Sequence, residues 1–201
     1  MAKLYFYFSA MNAGKSTTLL QASYNYRERG METLLFCPGF DTRYGKPAIT
    51  SRIGLSSDSY LFDYSFRFLP FIRDQYEQAD NLKCVLVDEA HFLTKNQVIE
   101  LSHVTSELKL PVLTYGLRTD FLGEPFEGSK YLLCWAEEII EIKTMCTCGK
   151  KATMNVRIDE NKNPVKHGSK VQIGGNESYI STCRACFEKK VGLPVTEEVL
   201  L

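Results

Sequence analysis

Short apolar runs, separated by longer mixed segments, are the first pattern visible along this chain. Four of the runs have the length and the aromatic or β-branched content of buried strands. They are residues 4–8 (LYFYF), 33–37 (TLLFC), 84–87 (CVLV) and 112–116 (VLTYG). Each run is therefore predicted to be a buried strand.

Helices are predicted between these strands. Residues 15–29 contain neither Gly nor Pro, and Gly30 stands where a helix stop is expected. A further helix is predicted from Thr94, because Gln97 completes a capping box and apolar residues follow at helical spacing. Strands thus alternate with helices to about residue 143, a pattern that predicts an α/β fold with a mostly parallel sheet flanked by helices.

The character of the chain changes after Lys143, where cysteine pairs, Gly, Asn and short alternating runs replace the long elements. We therefore predict an α/β domain over residues 1–143, a small second domain over 144–192 and a C-terminal tail over 193–201. Residues 38–58 are rich in Gly, Pro, Ser and Thr and are interpreted as a long loop.

Composition excludes two classes of protein. Lys plus Arg and Asp plus Glu each total 24, so the chain lacks the basic footprint typical of a nucleic-acid binder. No apolar run approaches the ~20 residues that span a bilayer, and the N-terminus does not have the pattern of a signal peptide. We expect a cytoplasmic protein with neither a membrane nor a nucleic-acid partner.

The first candidate site is the segment SAMNAGKS at residues 9–16, directly after a predicted strand and before a predicted helix. It matches the phosphate-binding loop G-x-x-x-x-G-K-[ST] except at its first position, which is serine. Backbone N–H groups would cradle the phosphates of ATP, with an ammonium on the terminal phosphates and a hydroxyl on Mg²⁺. The competing interpretation is a chance Gly-Lys-Ser in a turn. The candidate nucleotide-binding residues here are Ser9, Ala10, Met11, Asn12, Ala13, Gly14, Lys15 and Ser16.

A pair of acids follows the third predicted strand, in the sequence CVLVDE. Asp88 has the position of the acid that holds Mg²⁺ through water beside a phosphate loop. Glu89 follows it and is a candidate to accept a proton from the attacking group. Ala90 and His91 complete this predicted edge of the nucleotide site. The alternative is that the two acids are only charges at a helix start.

Four of the seven cysteines form two tight pairs, Cys146 with Cys148 and Cys183 with Cys186. Thiolates at such spacing can meet around a structural Zn²⁺, although four unligated thiols remain the alternative. The residues between the pairs have the composition of a hairpin with a long loop, which could cover a substrate. The remaining cysteines are interpreted as buried small apolar residues. They are Cys37, Cys84 and Cys134.

Taken together, the motifs resemble the bacterial members of the cytosolic thymidine kinase family, the P-loop kind with a zinc-held lasso. The resemblance extends over roughly residues 3–190 and includes the two cysteine pairs. It implies transfer of the ATP γ-phosphoryl group to the 5′-hydroxyl of thymidine. The other motifs that carry it are SAMNAGKST (9–17), DTRYG (41–45), VDEAHF (87–92), YGLRTDFLGEPF (115–126) and VQIGGNESYISTC (171–183).

The resemblance also implies residue roles. Glu89 would be the general base, Asp88 would hold Mg²⁺ through water, and Arg43 would lie beside the active site with Lys15. The lasso would grip thymine through backbone groups near Gln172 and Gly174, with Tyr179 packing on the nucleoside. Ordinary core packing competes with a role in binding for the aromatic residues. The residues implied around the base are Met11, Phe92, Leu117, Phe121 and Phe126.

The family usually assembles as a homotetramer and is inhibited by its end product, thymidine triphosphate, so both properties are expected here. This chain departs from many relatives at Ser9, at His91, where glutamine is common, and at the C-x-C spacing of the first cysteine pair. The alternative function is a P-loop ATPase whose zinc ribbon binds nucleic acid or a protein, with Glu89 activating water.

Overall fold

The computed structural model describes residues 1–39, 47–165 and 178–192. The strands are β1 Leu4–Ser9, β2 Glu32–Pro38, β3 Ala48–Thr50, β4 Ser56–Asp58, β5 Tyr60–Phe62, β6 Leu82–Val87, β7 Val112–Leu117, β8 Glu138–Glu141, β9 Thr144–Met145, β10 Lys151–Ala152, β11 Met154–Arg157 and β12 Tyr179–Thr182. The helices are α1 Lys15–Arg27, α2 Phe68–Gln78, α3 Lys95–Glu107, α4 Glu127–Trp135 and α5 Arg184–Val191, with a 3₁₀ turn at Ala90–Phe92.

Six strands form one sheet in the order β5-β2-β6-β7-β1-β8, and every pairing within it is parallel. This confirms the predicted α/β class. The carboxyl ends of β1, β6 and β7 lie at one edge, where ligands of open α/β sheets bind. Because β7 lies between β1 and β6, the loop after β1 and the acids after β6 meet across its end.

The sheet buries apolar side chains on both faces, because neighbouring residues of one strand point in opposite directions. Phe36 and Val87 belong to the core shared with α2, α3 and α4. Leu35 and Leu86, one position away, belong to the other core together with Leu19 of α1. The continuous apolar runs of the sequence thus correspond to strands covered on both sides.

Local signals placed the helix ends correctly. Thr94 caps α3, and its side chain and that of Gln97 form both hydrogen bonds of the capping box. After α1, Gly30 has a φ of +72°, a conformation that favours glycine and ends the helix.

The interpretation of residues 38–58 as one long loop was wrong, because β3 and β4 form an antiparallel pair there. Each strand has only three residues, and Ile49 is the one apolar core residue among them, so no apolar periodicity marks them. The turn between them is closed by a hydrogen bond from Ser51 N–H to the Leu55 carbonyl. The DTRYG motif lies outside the described residues.

The lone cysteines were predicted correctly in two of three cases. Cys37 and Cys84 are buried, but Cys134 is exposed on α4. It is followed by Trp135, which is also exposed, so both side chains lie on the side of α4 that faces away from the core.

The described residues after β8 (144–165 and 178–192) form a small unit that we call the cysteine module. It contains the antiparallel pairs β9–β10 and β11–β12 and the helix α5. The predicted hairpin between the cysteine pairs is confirmed in its two strands, whereas residues 166–177 lie outside the described residues. Across the described chain, none of the helices has the length and apolar content needed to cross a bilayer.

Candidate active site

The phosphate loop connects β1 to α1, and its backbone explains the unusual serine. Positive φ angles occur at Asn12 (+64°) and Gly14 (+81°), and Gly14 is the N-cap of α1. Ser9 instead ends β1 in regular pairing with Leu117 of β7. Because glycine is needed only where φ is positive, serine is compatible with the first position of this loop.

Lys15 folds back over the loop. Its ammonium donates to the Ser9 hydroxyl at 3.3 Å and to the Ala10 carbonyl at 3.5 Å, and the side chain is buried. Burial lowers the pKa of Lys15, while the nearby Glu89 and Asp88 carboxylates act in the opposite direction. A largely desolvated ammonium at a helix N-terminus is a strong site for an anion.

Ser16 and Asp88 join the two halves of the predicted site. The Ser16 hydroxyl donates to Asp88 Oδ2 at 2.8 Å, although the residues are 72 positions apart. Asp88 is buried, and its N–H donates to the Phe36 carbonyl, which fixes the end of β6 against β2. A hydroxyl and a carboxylate beside a phosphate site are ligands that Mg²⁺ prefers, so the residues present fit this ion.

Glu89 has a left-handed backbone conformation that few residues other than glycine adopt, with φ +47° and ψ +39° at the start of the 3₁₀ turn. Its N–H donates to Asp88 Oδ1 at 2.9 Å. The Glu89 side chain is 28% exposed, whereas Asp88 is 5% exposed. Left-handed non-glycine residues concentrate at functional sites, because the surrounding structure must hold them there. The difference in exposure shows that the two adjacent acids face different environments, since Asp88 is buried and Glu89 is partly open to solvent.

His91 is buried next to Glu89. Its Nδ1 accepts a hydrogen bond from Leu117 N–H at 3.3 Å and lies 3.6 Å from Glu89 Oε2. Burial, with a smaller contribution from Lys15, holds the pKa of His91 well below its usual value. The imidazole is therefore neutral at neutral pH and carries its proton on Nε2. Its Nδ1 accepts a hydrogen bond from the end of β7 and packs beside Glu89 without donating to that carboxylate.

Aromatic rings surround His91. Its ring centroid lies 4.0 Å from that of Phe92 and 4.6 Å from that of Phe126, and the two phenylalanines meet edge to face at 5.9 Å. The structure therefore brings these two predicted residues together beside Leu117. Such an edge-to-face cluster is a preferred packing of rings, and it forms one apolar wall next to Glu89.

Phe121 and Tyr179 are connected through a third residue. Phe121 is buried, with the guanidinium of Arg157 5.4 Å from its ring centroid. Arg157 pairs with Tyr179 across the β11–β12 ladder, so both project from the same face of the hairpin. The remaining predicted site residues lie outside the described residues. They are Arg43, Gln172 and Gly174.

Two glycines, missed in the sequence, determine how closely the 3₁₀ turn packs. A Cβ on Gly116 of β7 would lie 2.9 Å from the His91 nitrogen. A Cβ on Gly128 of α4 would overlap the Ala90 carbonyl oxygen and lie 2.9 Å from that of His91. Both contacts are too short for a real side chain. The one signal in the sequence is Gly116, because a glycine inside a predicted strand suggests the close approach of another backbone.

The four paired cysteines come together as predicted. Their sulfur atoms lie within 4.8 Å of one another, and Cys148 Sγ is 3.5 Å from Cys146 Sγ and 3.6 Å from Cys183 Sγ. Zn–S bonds of about 2.3 Å in a tetrahedron separate sulfur atoms by about 3.8 Å. Backbone N–H donation lowers the pKa of Cys146 to about 6 and also lowers that of Cys183, whereas hydrogen bonds with the neighbouring thiols raise the pKa of Cys186 to about 12. The thiolates that a metal requires therefore form first at Cys146 and Cys183. The cluster could therefore hold a closed structural zinc site.

We expect the purified protein to contain about one Zn per chain, measured by atomic emission. Cys183→Ser should remove the metal and lower the thermal stability, because a metal site of this kind contributes directly to folding. Cys134→Ser is the matched control, since that exposed thiol lies outside the cluster. Metal-free protein from a preparation without chelator would contradict the assignment.

The geometry defines a class of protein. A phosphate loop, a buried acid bonded to the loop hydroxyl and a second acid beside it lie at one edge of a parallel sheet. This is the arrangement of P-loop enzymes, which bind a nucleoside triphosphate with Mg²⁺ and cleave or transfer its γ-phosphoryl group.

Comparison with known proteins identifies the family within that class. A sequence model described as thymidine kinase matches residues 2–187. The thymidine kinase of Legionella pneumophila (strain Lens) is 58% identical to this chain, over 94% of this chain and 90% of its own length. The thymidine kinase of Coxiella burnetii is also 58% identical, over 96% of this chain and 98% of its own length. That of Zymomonas mobilis is 57% identical over 95% of this chain and 98% of its own length. The chain belongs to the thymidine kinase family.

Family membership confirms the kinase activity predicted from the motifs, and with it the use of ATP and Mg²⁺. It also decides against the predicted alternative, a P-loop ATPase with an accessory zinc ribbon. Both cysteine pairs lie within the matched residues.

Proposed function

We propose that this enzyme transfers the γ-phosphoryl group of ATP to the 5′-hydroxyl of thymidine, giving thymidine monophosphate and ADP. The observation that carries the proposal is the hydrogen bond from the Ser16 hydroxyl to the Asp88 carboxylate, with Glu89 next to it. It joins a phosphate site to a carboxylate pair, which is the minimum that phosphoryl transfer to an alcohol requires.

The phosphate loop binds the nucleotide in this proposal. N–H groups after Met11 cradle the phosphates, and Lys15 contacts the terminal ones. Ser16 and Asp88 would hold Mg²⁺, Asp88 through water, and the bound ion would neutralise charge on the phosphate oxygens. Arg43 is proposed to lie beside the transferred group, on the strength of the family resemblance alone.

Glu89 is the proposed general base. It accepts the proton of the 5′-hydroxyl as that oxygen attacks the γ-phosphorus and the bond to ADP breaks. Two observations support this role. The side chain is partly exposed beside a buried partner acid, and its backbone is held in a left-handed conformation of the kind that concentrates at functional sites.

Thymidine is proposed to bind between the α/β domain (residues 1–143) and the second domain (residues 144–192). The ring cluster around His91 supplies one apolar wall, and a flat slot with few polar partners suits a nucleobase. Backbone groups near Gln172 and Gly174 are the proposed thymine readers. The side chains proposed to line the slot are Met11, Phe92, Leu117, Phe121, Phe126 and Tyr179.

Assembly, regulation and location are proposed from the same resemblance. We expect a homotetramer, feedback inhibition by thymidine triphosphate and a cytoplasmic location. Sedimentation with and without the triphosphate, together with inhibition kinetics, tests the first two of these expectations.

We expect ADP formation to depend on added thymidine, because the acceptor hydroxyl completes the site. The measurement follows ADP by a coupled assay and thymidine monophosphate by chromatography, with ATP and Mg²⁺ present throughout. One molecule of each product should form per turnover, and 5′-deoxythymidine, which lacks the acceptor hydroxyl, is the matched control. Equal ADP formation with and without thymidine would identify an ATPase and overturn the proposal.

A further inference from the structure

The peptide groups of Met11, in the middle of the phosphate loop, are bonded to the cysteine module. Met11 N–H donates to Asn155 Oδ1 at 2.8 Å, and the Ser181 hydroxyl donates to the Met11 carbonyl at 2.6 Å. The partners are 144 and 170 positions away along the chain. The cysteine module thus forms hydrogen bonds with both the N–H and the carbonyl of one residue of the phosphate loop. We call Asn155 and Ser181, which form them, the gripping pair.

The two gripping residues are a cross-strand pair. Asn155 of β11 and Ser181 of β12 lie directly opposite each other in the antiparallel ladder, so they project from one face of the hairpin. Both side chains are buried. A paired strand fixes the spacing of its side chains, so the hairpin presents an acceptor and a donor at the separation that one residue of the loop needs.

The residues on either side of Met11 also contact the module. Ala10 packs in one buried cluster with Cys146, Ala152 and Cys183. The Thr144 hydroxyl donates to the Asn12 carbonyl at 3.5 Å. Three successive residues of the phosphate loop therefore rest against the module, and two of the side chains beneath Ala10 belong to the cysteine cluster.

The gripping pair is rigidly connected to that cluster. Ser181 is two residues before Cys183, and the intervening Thr182 accepts a backbone hydrogen bond from Thr153 at 2.9 Å. The opposite face of the hairpin packs Val156 against Phe187, on the helix that follows Cys183. Displacing the cysteines would therefore displace the pair.

We propose that Asn155 and Ser181 are positioning residues that hold the phosphate loop in its nucleotide-binding shape, so that nucleotide affinity depends on the metal-loaded cysteine module. The inference rests on the proposed nucleotide and zinc sites, and it adds a second role for the module beside covering thymidine. Nucleotide and zinc are then coupled ligands, and each raises the affinity for the other by the same factor.

The first test measures ADP affinity by calorimetry on the full chain, without thymidine. Asn155→Ala and Ser181→Ala should each weaken ADP binding about fivefold, the effect of losing one neutral hydrogen bond. Zinc content should stay at the native value in both variants. In steady-state kinetics the KM for ATP should rise more than kcat falls, because the loop is loosened before the chemistry begins.

Two further variants of β12 separate positioning from general damage. Ser181→Thr keeps the hydroxyl and should restore near-native ADP affinity. Thr182→Val alters the neighbouring position on the other face, where the buried hydroxyl has no hydrogen-bond partner among the described residues, and should leave ADP affinity unchanged. Native ADP affinity in both Asn155→Ala and Ser181→Ala would overturn the proposal.

The second test needs no variant. Zinc affinity of the native chain is measured by competition with a zinc-selective chelator, with and without saturating ADP. Coupling predicts that the affinity for zinc is several-fold higher with saturating ADP than without it. Equal zinc affinity in the two conditions would overturn the proposal. Both tests are independent of thymidine, so the assignment of the phosphoryl acceptor can fail while the coupling holds, and the reverse.

Discussion

Replacing Glu89 with glutamine is expected to lower kcat by about 10²–10⁴-fold, the usual effect of removing a general base. The amide has nearly the shape of the carboxylate but cannot accept the 5′-hydroxyl proton. The left-handed backbone, the hydrogen bond from Glu89 N–H to Asp88 and the packing of His91 do not depend on the charge. The affinities for ATP and thymidine should therefore stay within a few-fold of native.

The measurement combines single-turnover kinetics with calorimetric titration of each substrate. Glu77→Gln is the matched control, because it makes the same chemical change on an exposed face of α2. Near-native turnover in Glu89→Gln would remove this residue from the mechanism. A parallel loss of binding would show that the carboxylate mainly organises the site.

Gly128→Ala is expected to lower kcat/KM by about 10²-fold, although α4 does not supply a reacting group. The new methyl would overlap the Ala90 carbonyl and crowd that of His91, so the 3₁₀ turn must move. That turn begins at Glu89, and a misplacement of about 1 Å in a reacting group can cost this much. Overpacking against backbone should also lower the free energy of unfolding by about 1–3 kcal/mol.

Gly39→Ala is the control for Gly128→Ala, because there the nearest atoms to a Cβ lie 3.6 Å away and φ is not in the left-handed region. Kinetics and thermal melting of both variants are compared with those of the native chain. If Gly128→Ala keeps native kcat/KM, the turn can shift without disturbing Glu89, and close packing by α4 is not needed for catalysis.

Most of the features predicted correctly have short-range causes, and the cysteine cluster is the exception. The phosphate loop needs a strand before it and a helix after it. β1 and α1 supply them directly on either side of SAMNAGKS in the sequence. The capping box at Thr94 depends on two residues of one turn. The meeting of four cysteines was predictable because a metal imposes the same geometry in many folds.

The features missed have long-range causes. Nothing near Asn155 or Ser181 in the sequence indicates that they hold a loop more than 140 residues away. No helix is predicted over residues 127–135, and the need for glycine at Gly128 is evident only when the turn packed against it is known. The β3–β4 pair was missed because strands of three residues, with a single buried apolar side chain at Ile49, are too short to show a periodicity.

The position of β1 in the sheet has a consequence for how the chain is made. Among the described strands, β1 pairs with β7 and β8, so its neighbours in the sheet come from residues 112 onward. Contacts so distant in sequence form slowly, because a long loop must close first. The phosphate loop then gains its last hydrogen bonds when β12 arrives. β1 thus stays without its parallel partner until β7 has been synthesised, and until then its apolar side chains are exposed to aggregation and to chaperones.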